Sequence, residues 1–183
     1  MLKKATVYFF ILFFSACFCF AASCNKPEGI INFYKIEDGL YRGGYPTQQG
    51  LKNLKQIGVK TIIDFRNHGK DVSQEKRYAK ALGTKYINIP FGFLRTPPED
   101  AQIKNFLEVV KDSKNRPVFI HCQHGTDRTG MMVATYRIAA QGWSCQKAYQ
   151  EAKSLGFHSF YIPMRNFIFN KAEKFKTNDQ KKD

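Results

Sequence analysis

The fold of this chain is decided by residues 117–130, which read Pro-Val-Phe-Ile-His-Cys-Gln-His-Gly-Thr-Asp-Arg-Thr-Gly. The first four form an apolar run that predicts a buried strand, and the apolar residues Met131 to Ile138 after the segment predict a helix. A strand, a tight loop and a helix in this order form an anion-binding site, because the loop N–H groups converge on one centre and the helix N-terminus adds donors. The segment therefore predicts a site for one phosphoryl group.

Cys122 and Arg128 stand at opposite ends of this loop. A thiol in such a positive field ionises readily, which makes it a nucleophile at neutral pH. The guanidinium of Arg128 can hold two phosphate oxygens at once, as a lysine cannot. Thr129 places a hydroxyl where it can donate a hydrogen bond to the departing thiolate. We predict that these three residues are catalytic.

The residues between the thiol and the guanidinium are predicted to bind the phosphate. Gly125 supplies the positive φ or the close backbone approach that so tight a turn requires. The full predicted set is Gln123, His124, Gly125, Thr126, Asp127 and Arg128. The chain has no cysteine or histidine pair at metal-binding spacing, so we expect neither a metal nor a cofactor.

The segment around Cys122 resembles the His-Cys-x5-Arg-Thr-Gly signature of the protein tyrosine phosphatase superfamily. That resemblance implies a phosphocysteine intermediate on Cys122, with Arg128 as the phosphate-binding arginine and no metal. Residues 39–46, 61–66 and 136–143 resemble segments of bacterial secreted dual-specificity phosphatases. Those enzymes accept phosphotyrosine, and sometimes phosphoserine or phosphothreonine, in a shallow pocket.

Three residues of these flanking segments have open roles. Asp64 and Arg66 either support the loop or form an ion pair on the surface at the end of a strand. Arg42 precedes two glycines, which is typical of a solvated turn residue. We therefore expect Arg42 to be exposed.

The sequence offers more than one candidate for the general acid. Phosphatases of this kind usually carry it some twenty to thirty residues before the cysteine, but residues 90–100 contain no carboxylate before Glu99. Glu99 and Asp100 are also explained by helix capping and by the helix dipole. Asp127 makes the loop resemble those of myotubularin lipid phosphatases, in which this aspartate is thought to be the acid. We predict Asp127 or Asp100 as the acid, although Asp127 could instead face outward and neutralise the basic rim.

The rest of the chain predicts an α/β fold, a mostly parallel sheet with helices on both faces like that of dual-specificity phosphatases. Strands alternate with helices along the chain, and in such sheets ligands bind beyond the carboxyl ends of the strands. The predicted strands are 30–36, 40–42, 59–65, 86–89 and 117–120. The predicted helices start at Thr47, at Ser73, at a capping box of Thr96 and Glu99 with proline at the first helical position, and at Met131, and also span 144–155 and 162–175.

The N-terminus predicts a secretory signal. Lys3 and Lys4 precede an apolar run and a small-residue cleavage site at residues 21–23, so we predict a signal peptide over 1–23. An uncleaved anchor, or lipidation of Cys17 or Cys24, are the alternatives. We divide the remainder into a phosphatase domain over 24–175 and a flexible basic tail over 176–183, and expect export to the periplasm of a Gram-negative bacterium or secretion.

The formal charge of +14 favours anionic partners. No basic run is interleaved with aromatic residues, so we predict no nucleic-acid binding. The expected partners are a phosphorylated protein or another phosphoester, and an anionic membrane surface, with the chain as a monomer. The leading function is a protein-tyrosine or dual-specificity phosphatase. The alternatives are a phosphoinositide or inositol phosphate phosphatase and an inactive phosphate-binding module.

Overall fold

Five strands form a single sheet in the order β1-β2-β5-β3-β4 in the computed structural model, which describes residues 26–92, 96–170 and 172–176. β1 runs antiparallel to β2, and the other neighbouring pairs are parallel. The predicted mostly parallel sheet is confirmed. The strands are β1 (Tyr34–Glu37), β2 (Leu40–Gly43), β3 (Thr61–Asp64), β4 (Lys85–Asn88) and β5 (Val118–His121).

Six α-helices are found in the described residues, together with two short 3₁₀ turns. The helices are α1 (Gln48–Gln56), α2 (Lys70–Ala81), α3 (Asp100–Lys111), α4 (Asp127–Gln141), α5 (Cys145–Ser154) and α6 (Ile162–Asn170). The 3₁₀ turns are Ser113–Asn115 and Ala172–Phe175.

The helices cover both faces of the sheet, as predicted. Phe119 of β5 belongs to the core that contains Leu51 of α1 and Ala79 of α2. Its neighbours Val118 and Ile120 belong to the core formed with α3, α4, α5 and α6. Because successive strand side chains point to opposite faces, β5 is buried on both sides and lies at the centre of the sheet.

Helix starts agree with the sequence at two positions. Thr47 Oγ1 accepts a hydrogen bond from the Gly50 N–H at 3.1 Å, and Ser144 Oγ accepts one from Lys147 at 3.2 Å. α2 begins three residues before the predicted Ser73, and α4 begins at Asp127 rather than Met131. The last predicted helix is interrupted, because α6 ends at Asn170 and a separate 3₁₀ turn follows.

The predicted capping box of α3 was wrong by one turn. The helix begins at Asp100 with Glu99 as its N-cap, and Gln102 Oε1 accepts from the Glu99 N–H at 2.7 Å. A proline holds the residue before it in an extended conformation. Pro97 and Pro98 therefore keep Thr96 outside the helix, and neither proline occupies its first position.

The predictions for the signal peptide over 1–23, for Cys17 and Cys24, and for the tail after Lys176 lie outside the described residues. Among the helices that are described, none is both long enough and apolar enough to cross a membrane.

Candidate active site

The loop after β5 carries Cys122 at the carboxyl end of the central strand, and α4 begins five residues later at Asp127. Cys122 is a free thiol with 4% exposure. Gly125 has φ +78°, and a Cβ atom there would lie 2.4 Å from the backbone carbon of Gly43. The loop therefore packs against the end of β2 so closely that only glycine fits.

The carbonyl groups of this loop point away from its centre, where the phosphate is predicted to bind. Tyr45 N–H donates to the Gln123 carbonyl at 3.1 Å, and Asn32 Nδ2 donates to the His124 carbonyl at 2.9 Å. Arg42 Nη2 donates to the carbonyls of both Gly125 and Thr126. In the described protein no backbone N–H from Gln123 to Thr126 donates to another backbone carbonyl. These N–H groups are thus left to bind an anion.

Arg128 lies at the start of α4, where its side chain is partly exposed. Its Nη1 donates to the Phe65 carbonyl at 2.9 Å, which fixes the guanidinium beside the end of β3. Arg128 lines a cleft of about 410 Å³ together with Gln123 and His124. The other lining residues are Arg66, Asn67, Gly69, Lys70, Asp71 and Val72.

Thr129, the third residue predicted to be catalytic, is fully buried in the first turn of α4. Its hydroxyl has no hydrogen-bond partner within the described part of the chain. A buried hydroxyl normally finds a partner. The free hydroxyl is therefore consistent with the predicted bond to the thiolate, which stays a prediction.

A buried ionic cluster lies directly behind the nucleophile. Arg66 donates to both oxygens of Asp64 and also to Glu75, and all three side chains are buried. The two residues predicted from the sequence thus form a buried pair, and the surface alternative is wrong. The cluster reaches Cys122 through His121, whose Nε2 lies 3.1 Å from Glu75 but is not aligned for a hydrogen bond.

In this cluster the neighbouring charges shift the pKa values of His121 and Asp64 in the direction opposite to burial. Burial alone lowers the pKa of His121, but Glu75 and Asp64 raise it above its ordinary 6.5. Burial raises the pKa of Asp64, but His121 and Arg66 hold it below its ordinary value. His121 therefore keeps its proton to a higher pH than a free imidazole does, and its Nδ1 lies 3.2 Å from the Cys122 carbonyl.

Asp64, Glu75 and His121 also form a set of metal-ligand atoms within 4.8 Å of one another. The carboxylates already have other partners, because Arg66 donates to both of them and Tyr86 Oη donates to Asp64 at 2.6 Å. The positive charge that these carboxylates require is supplied by Arg66.

Arg42 was predicted to be a solvated turn residue, and this was wrong. Its side chain is fully buried, because Arg42 lies on β2 beside Ile120 of β5 rather than in the turn that follows. The glycines that indicated a turn instead give room to the phosphate loop, since Gly44 lies against the backbone of Gln123 and His124.

The two predicted acids lie in different places. Asp127 is buried at the start of α4, where it accepts hydrogen bonds from the His158 backbone N–H at 2.8 Å and from Thr126 Oγ1 at 3.0 Å. Asp100 is exposed at the start of α3 and pairs with Lys174 at 2.5 Å. Neither Asp100 nor Asp127 is among the residues that line the cleft, and Cys122 lies beneath Gln123 and His124 rather than in that lining.

Sequence reasoning missed several residues of the site, among them Asp71, Glu75 and Tyr86. Asp71 lines the cleft, but it was assigned to a loop before α2. Glu75 lies one turn further along α2 and is buried. Because glutamate is usually exposed, its sequence context did not predict this burial. Tyr86 was assigned only to a strand. The hint in the sequence was Arg66 directly after β3, because an arginine that is buried there requires acidic partners such as Glu75.

The parallel sheet, the loop after its central strand and the paired thiol and guanidinium define a cysteine-dependent phosphatase fold. Residues 26–170 match the family described as PTP-NADK, DSP-PTPase phosphatase fused to NAD⁺ kinase. Since that match covers most of the chain, the chain belongs to this family within the protein tyrosine phosphatase superfamily.

Two curated relatives with different activities in their names are similar to this chain. Dual specificity protein phosphatase TpbA of Pseudomonas aeruginosa is 32% identical over 128 residues, which are 69% of this chain and 56% of that protein. Inositol diphosphatase DSP3 of Arabidopsis thaliana is 28% identical over 123 residues, which are 66% of this chain and 60% of that protein. The chain thus spans somewhat more than half the length of these relatives.

A solved structure agrees with the fold. The crystal structure of TpbA from P. aeruginosa superposes with a TM-score of 0.64 at 27% sequence identity. The superposition covers 75% of this chain and 83% of that one. The predicted dual-specificity phosphatase fold is confirmed.

Proposed function

We propose that this chain is a cysteine-dependent phosphomonoesterase that acts on phosphotyrosine in proteins, and in some substrates on phosphoserine or phosphothreonine. One observation carries the proposal: Cys122 opens a loop whose carbonyls from Gln123 to Thr126 are all held outward by donors from elsewhere in the protein. The N–H groups of such a loop are available to bind an anion. The relationship to a protein named as a dual specificity phosphatase supports the choice of substrate.

The proposed reaction has two steps. The thiolate of Cys122 attacks phosphorus, an S–P bond forms, and the O–P bond to the leaving group breaks. Arg128 holds the phosphoryl oxygens while charge develops on them, and the leaving oxygen takes a proton from an acid. Water then attacks phosphorus, the S–P bond breaks, and inorganic phosphate and the thiolate are released.

Asp127 is the proposed acid, with Asp100 as the alternative. Asp127 is adjacent to Arg128 in the chain, and its carboxylate contacts Thr126 of the phosphate loop. Asp100 can act only if it leaves the ion pair with Lys174. We therefore favour Asp127, and the leaving-group experiment in the Discussion tests the choice.

Hydrolysis of p-nitrophenyl phosphate and of phosphotyrosine peptides in the presence of EDTA tests the function. We expect turnover without added metal, inhibition by vanadate, and ³²P trapped on Cys122 after an acid quench. Cys122→Ser is the control for the trapping. Equal turnover by wild type and Cys122→Ser would contradict the proposal, and phosphate binding without any turnover would favour the inactive module.

A second substrate class is favoured by the shape and charge of the cleft. The cleft is also lined by Lys70, Arg66 and Asp71. Because Arg66 is paired with Asp64 and Glu75, Lys70 is the cation of this lining, besides Arg128, that is available to a second phosphate. One curated relative is named as an inositol diphosphatase. A substrate with several phosphates, such as an inositol polyphosphate or a phosphoinositide, suits such a cleft.

The substitution Lys70→Gln separates the two substrate classes. On an inositol polyphosphate we expect it to raise KM by about fivefold, while KM for p-nitrophenyl phosphate stays unchanged. Lys76→Gln is the matched control, because Lys76 is exposed on the same helix but does not line the cleft. Rates on phosphotyrosine peptides at least about a hundredfold above those on inositol phosphates would reject the second class.

We also propose that the protein is exported, to the periplasm or outside the cell, with residues 1–23 as its signal peptide. The charged start, the apolar run and the small residues before Cys24 support this. Mass spectrometry of the mature N-terminus tests it, and a soluble cytosolic protein that begins at Met1 would contradict it. Sedimentation alone and with vesicles containing phosphatidylserine tests the proposed monomer and its affinity for an anionic membrane.

A further inference from the structure

Arg42 lies behind the phosphate loop, on the side opposite to the predicted phosphate. Its Nη2 donates to the Gly125 carbonyl and, at 3.4 Å, to the Thr126 carbonyl. The residue is fully buried on β2. One guanidinium nitrogen therefore orients two consecutive peptide groups of the loop, with their carbonyls toward β2.

The rest of this guanidinium has no hydrogen-bond partner among the residues that the structure describes. Within the described part of the chain, Nε and Nη1 of Arg42 are buried without a hydrogen-bond acceptor. Burying a cation is costly unless an anion compensates it. Burial lowers the pKa of Arg42 to about 10, and the nearby anionic forms of Cys122, Glu151, Tyr34 and Asp127 oppose this, with Cys122 the strongest of them.

A second buried arginine shows how the protein treats a purely structural guanidinium. Arg137 of α4 uses Nε for Glu151, Nη1 for Gln141, and Nη2 for Glu151 and the Ile36 carbonyl. Every nitrogen of Arg137 has an acceptor. Arg42 differs because it binds two backbone carbonyls and, among the described residues, no carboxylate neutralises its charge through a hydrogen bond.

We propose that Arg42 is a positioning residue whose Nη2 holds the phosphate loop in its anion-binding conformation and whose buried charge stabilises the thiolate of Cys122 and the bound phosphoryl group. This rests on the proposed phosphatase function, since it assigns Arg42 to the same loop. Arg42 lies on the carbonyl side of the loop, so it acts through the backbone and through its charge without touching the substrate.

Other charged or titratable residues belong to the elements around Cys122, and the test has to separate them from Arg42. Arg128 and Asp127 come from α4, His124 from the loop, and His121 from β5 with its partners Glu75 and Asp64 from α2 and β3. None of them contacts Arg42 in the hydrogen bonds and ion pairs of the structure. Substituting Arg42 therefore leaves their own pairs in place.

The experiment compares Arg42→Met with wild type in the full chain. We expect the rate of Cys122 alkylation by iodoacetamide to fall about tenfold at pH 6 and to approach the wild-type rate at pH 9.5, where a thiol ionises without help. Binding of inorganic phosphate, measured by calorimetry, should weaken about tenfold. Arg137→Met is the matched control, and it should lower Tm while both readouts stay at wild-type values.

Arg42→Lys separates the two roles, and it decides the matter if Arg42→Met does not fold. Lysine keeps the charge, but its side chain is one atom shorter and ends in an ammonium, which cannot reach the two carbonyls that Nη2 binds. We therefore expect alkylation near the wild-type rate and phosphate binding weakened about tenfold. An unchanged alkylation profile in Arg42→Met, or unchanged phosphate binding in Arg42→Lys, would overturn the proposal. Neither readout requires turnover, so a protein that hydrolyses no phosphoester would refute the proposed function and leave this test intact.

Discussion

The side chain of Asp127 is bound by His158 from two directions, since the His158 backbone N–H and its ring Nδ1 lie 2.8 and 3.0 Å from Asp127 Oδ1. Half of the His158 side chain is exposed, whereas Asp127 is buried. The loop between α5 and α6 therefore reaches the start of α4 and holds the proposed acid in place. A proton delivered by Asp127 has to pass through, or compete with, this pair.

The Asp127 and His158 pair predicts coupled effects on leaving-group dependence. Asp127→Asn should slow hydrolysis of phosphotyrosine peptides by about 10²-fold or more, with little effect on p-nitrophenyl phosphate, because nitrophenolate leaves without a proton. His158→Ala should have the same selectivity. The double variant should be no slower than the worse single variant, because both substitutions remove one unit.

Asp71→Asn and Asp100→Asn are the controls for that series. Asp71 is a carboxylate that lines the cleft, and Asp100 is the alternative acid at the start of α3. Brønsted plots over phosphoesters of rising leaving-group pKa provide the measurement. A steeper slope in either control, with the Asp127→Asn slope unchanged, would move the acid to that residue.

Substitutions of the nucleophile Cys122 and of the phosphate-binding Arg128 should lower kcat by different amounts. We expect Cys122→Ser to lower kcat by about 10³-fold or more on every phosphoester, because the covalent step is lost. Arg128→Lys should lower kcat by about 10²-fold, since a point charge cannot replace the fork. Its hydrogen bond to Phe65 should also be lost. Steady-state kinetics measures both, and wild-type kcat in Arg128→Lys would remove Arg128 from the mechanism.

The phosphate loop was predictable because its chemistry is local in sequence. Residues 117–130 indicated a strand, a loop and a helix, and the order of helices and strands followed from turns and caps such as Thr47. The role of Arg42 was not predictable, since its partners lie more than 80 residues away at Gly125 and Thr126. The bond from His158 to Asp127 likewise spans 31 residues. The first contact depends on the register of β2 on β5, and the second on how α5 and α6 pack against α4. A single sequence displays neither.

Gly125 should be required both for its φ and for the space around it. Gly58 has a similar φ of +87°, but nothing lies within 4 Å of a Cβ atom there, whereas at Gly125 the Gly43 backbone is 2.4 Å away. Gly58→Ala should therefore cost only the left-handed penalty of about 1–2 kcal/mol. Gly125→Ala should cost more and should also abolish phosphate binding. Urea unfolding and calorimetry measure the two effects, and equal losses in both variants would contradict the tight packing of the loop.

The cluster behind Cys122 predicts a pH-dependent loss of stability on substituting Glu75. Burial lowers the pKa of His121, but Glu75 and Asp64 raise it above 6.5. A raised pKa in the folded state stabilises the protein fully below the unfolded value, and this contribution disappears as pH rises through the folded value. Glu75→Gln leaves His121 and Arg66 with one carboxylate fewer, so we expect a loss of about 3–5 kcal/mol. The loss should be largest between pH 5 and 6.5.

The matched control for this series is Glu151→Gln, which removes the carboxylate that pairs with Arg137. Arginine does not titrate in this range, so the cost of Glu151→Gln should be the same at every pH. Urea unfolding of the three proteins at half-unit steps from pH 5.5 to 9 provides the measurement. The difference between wild type and Glu75→Gln should shrink above pH 6.5 and level off at the share that comes from Arg66, which keeps its charge throughout. A difference that stays constant across the series would show that His121 is neutral beside Cys122, and a difference that grows with pH would reverse the assigned direction of its pKa.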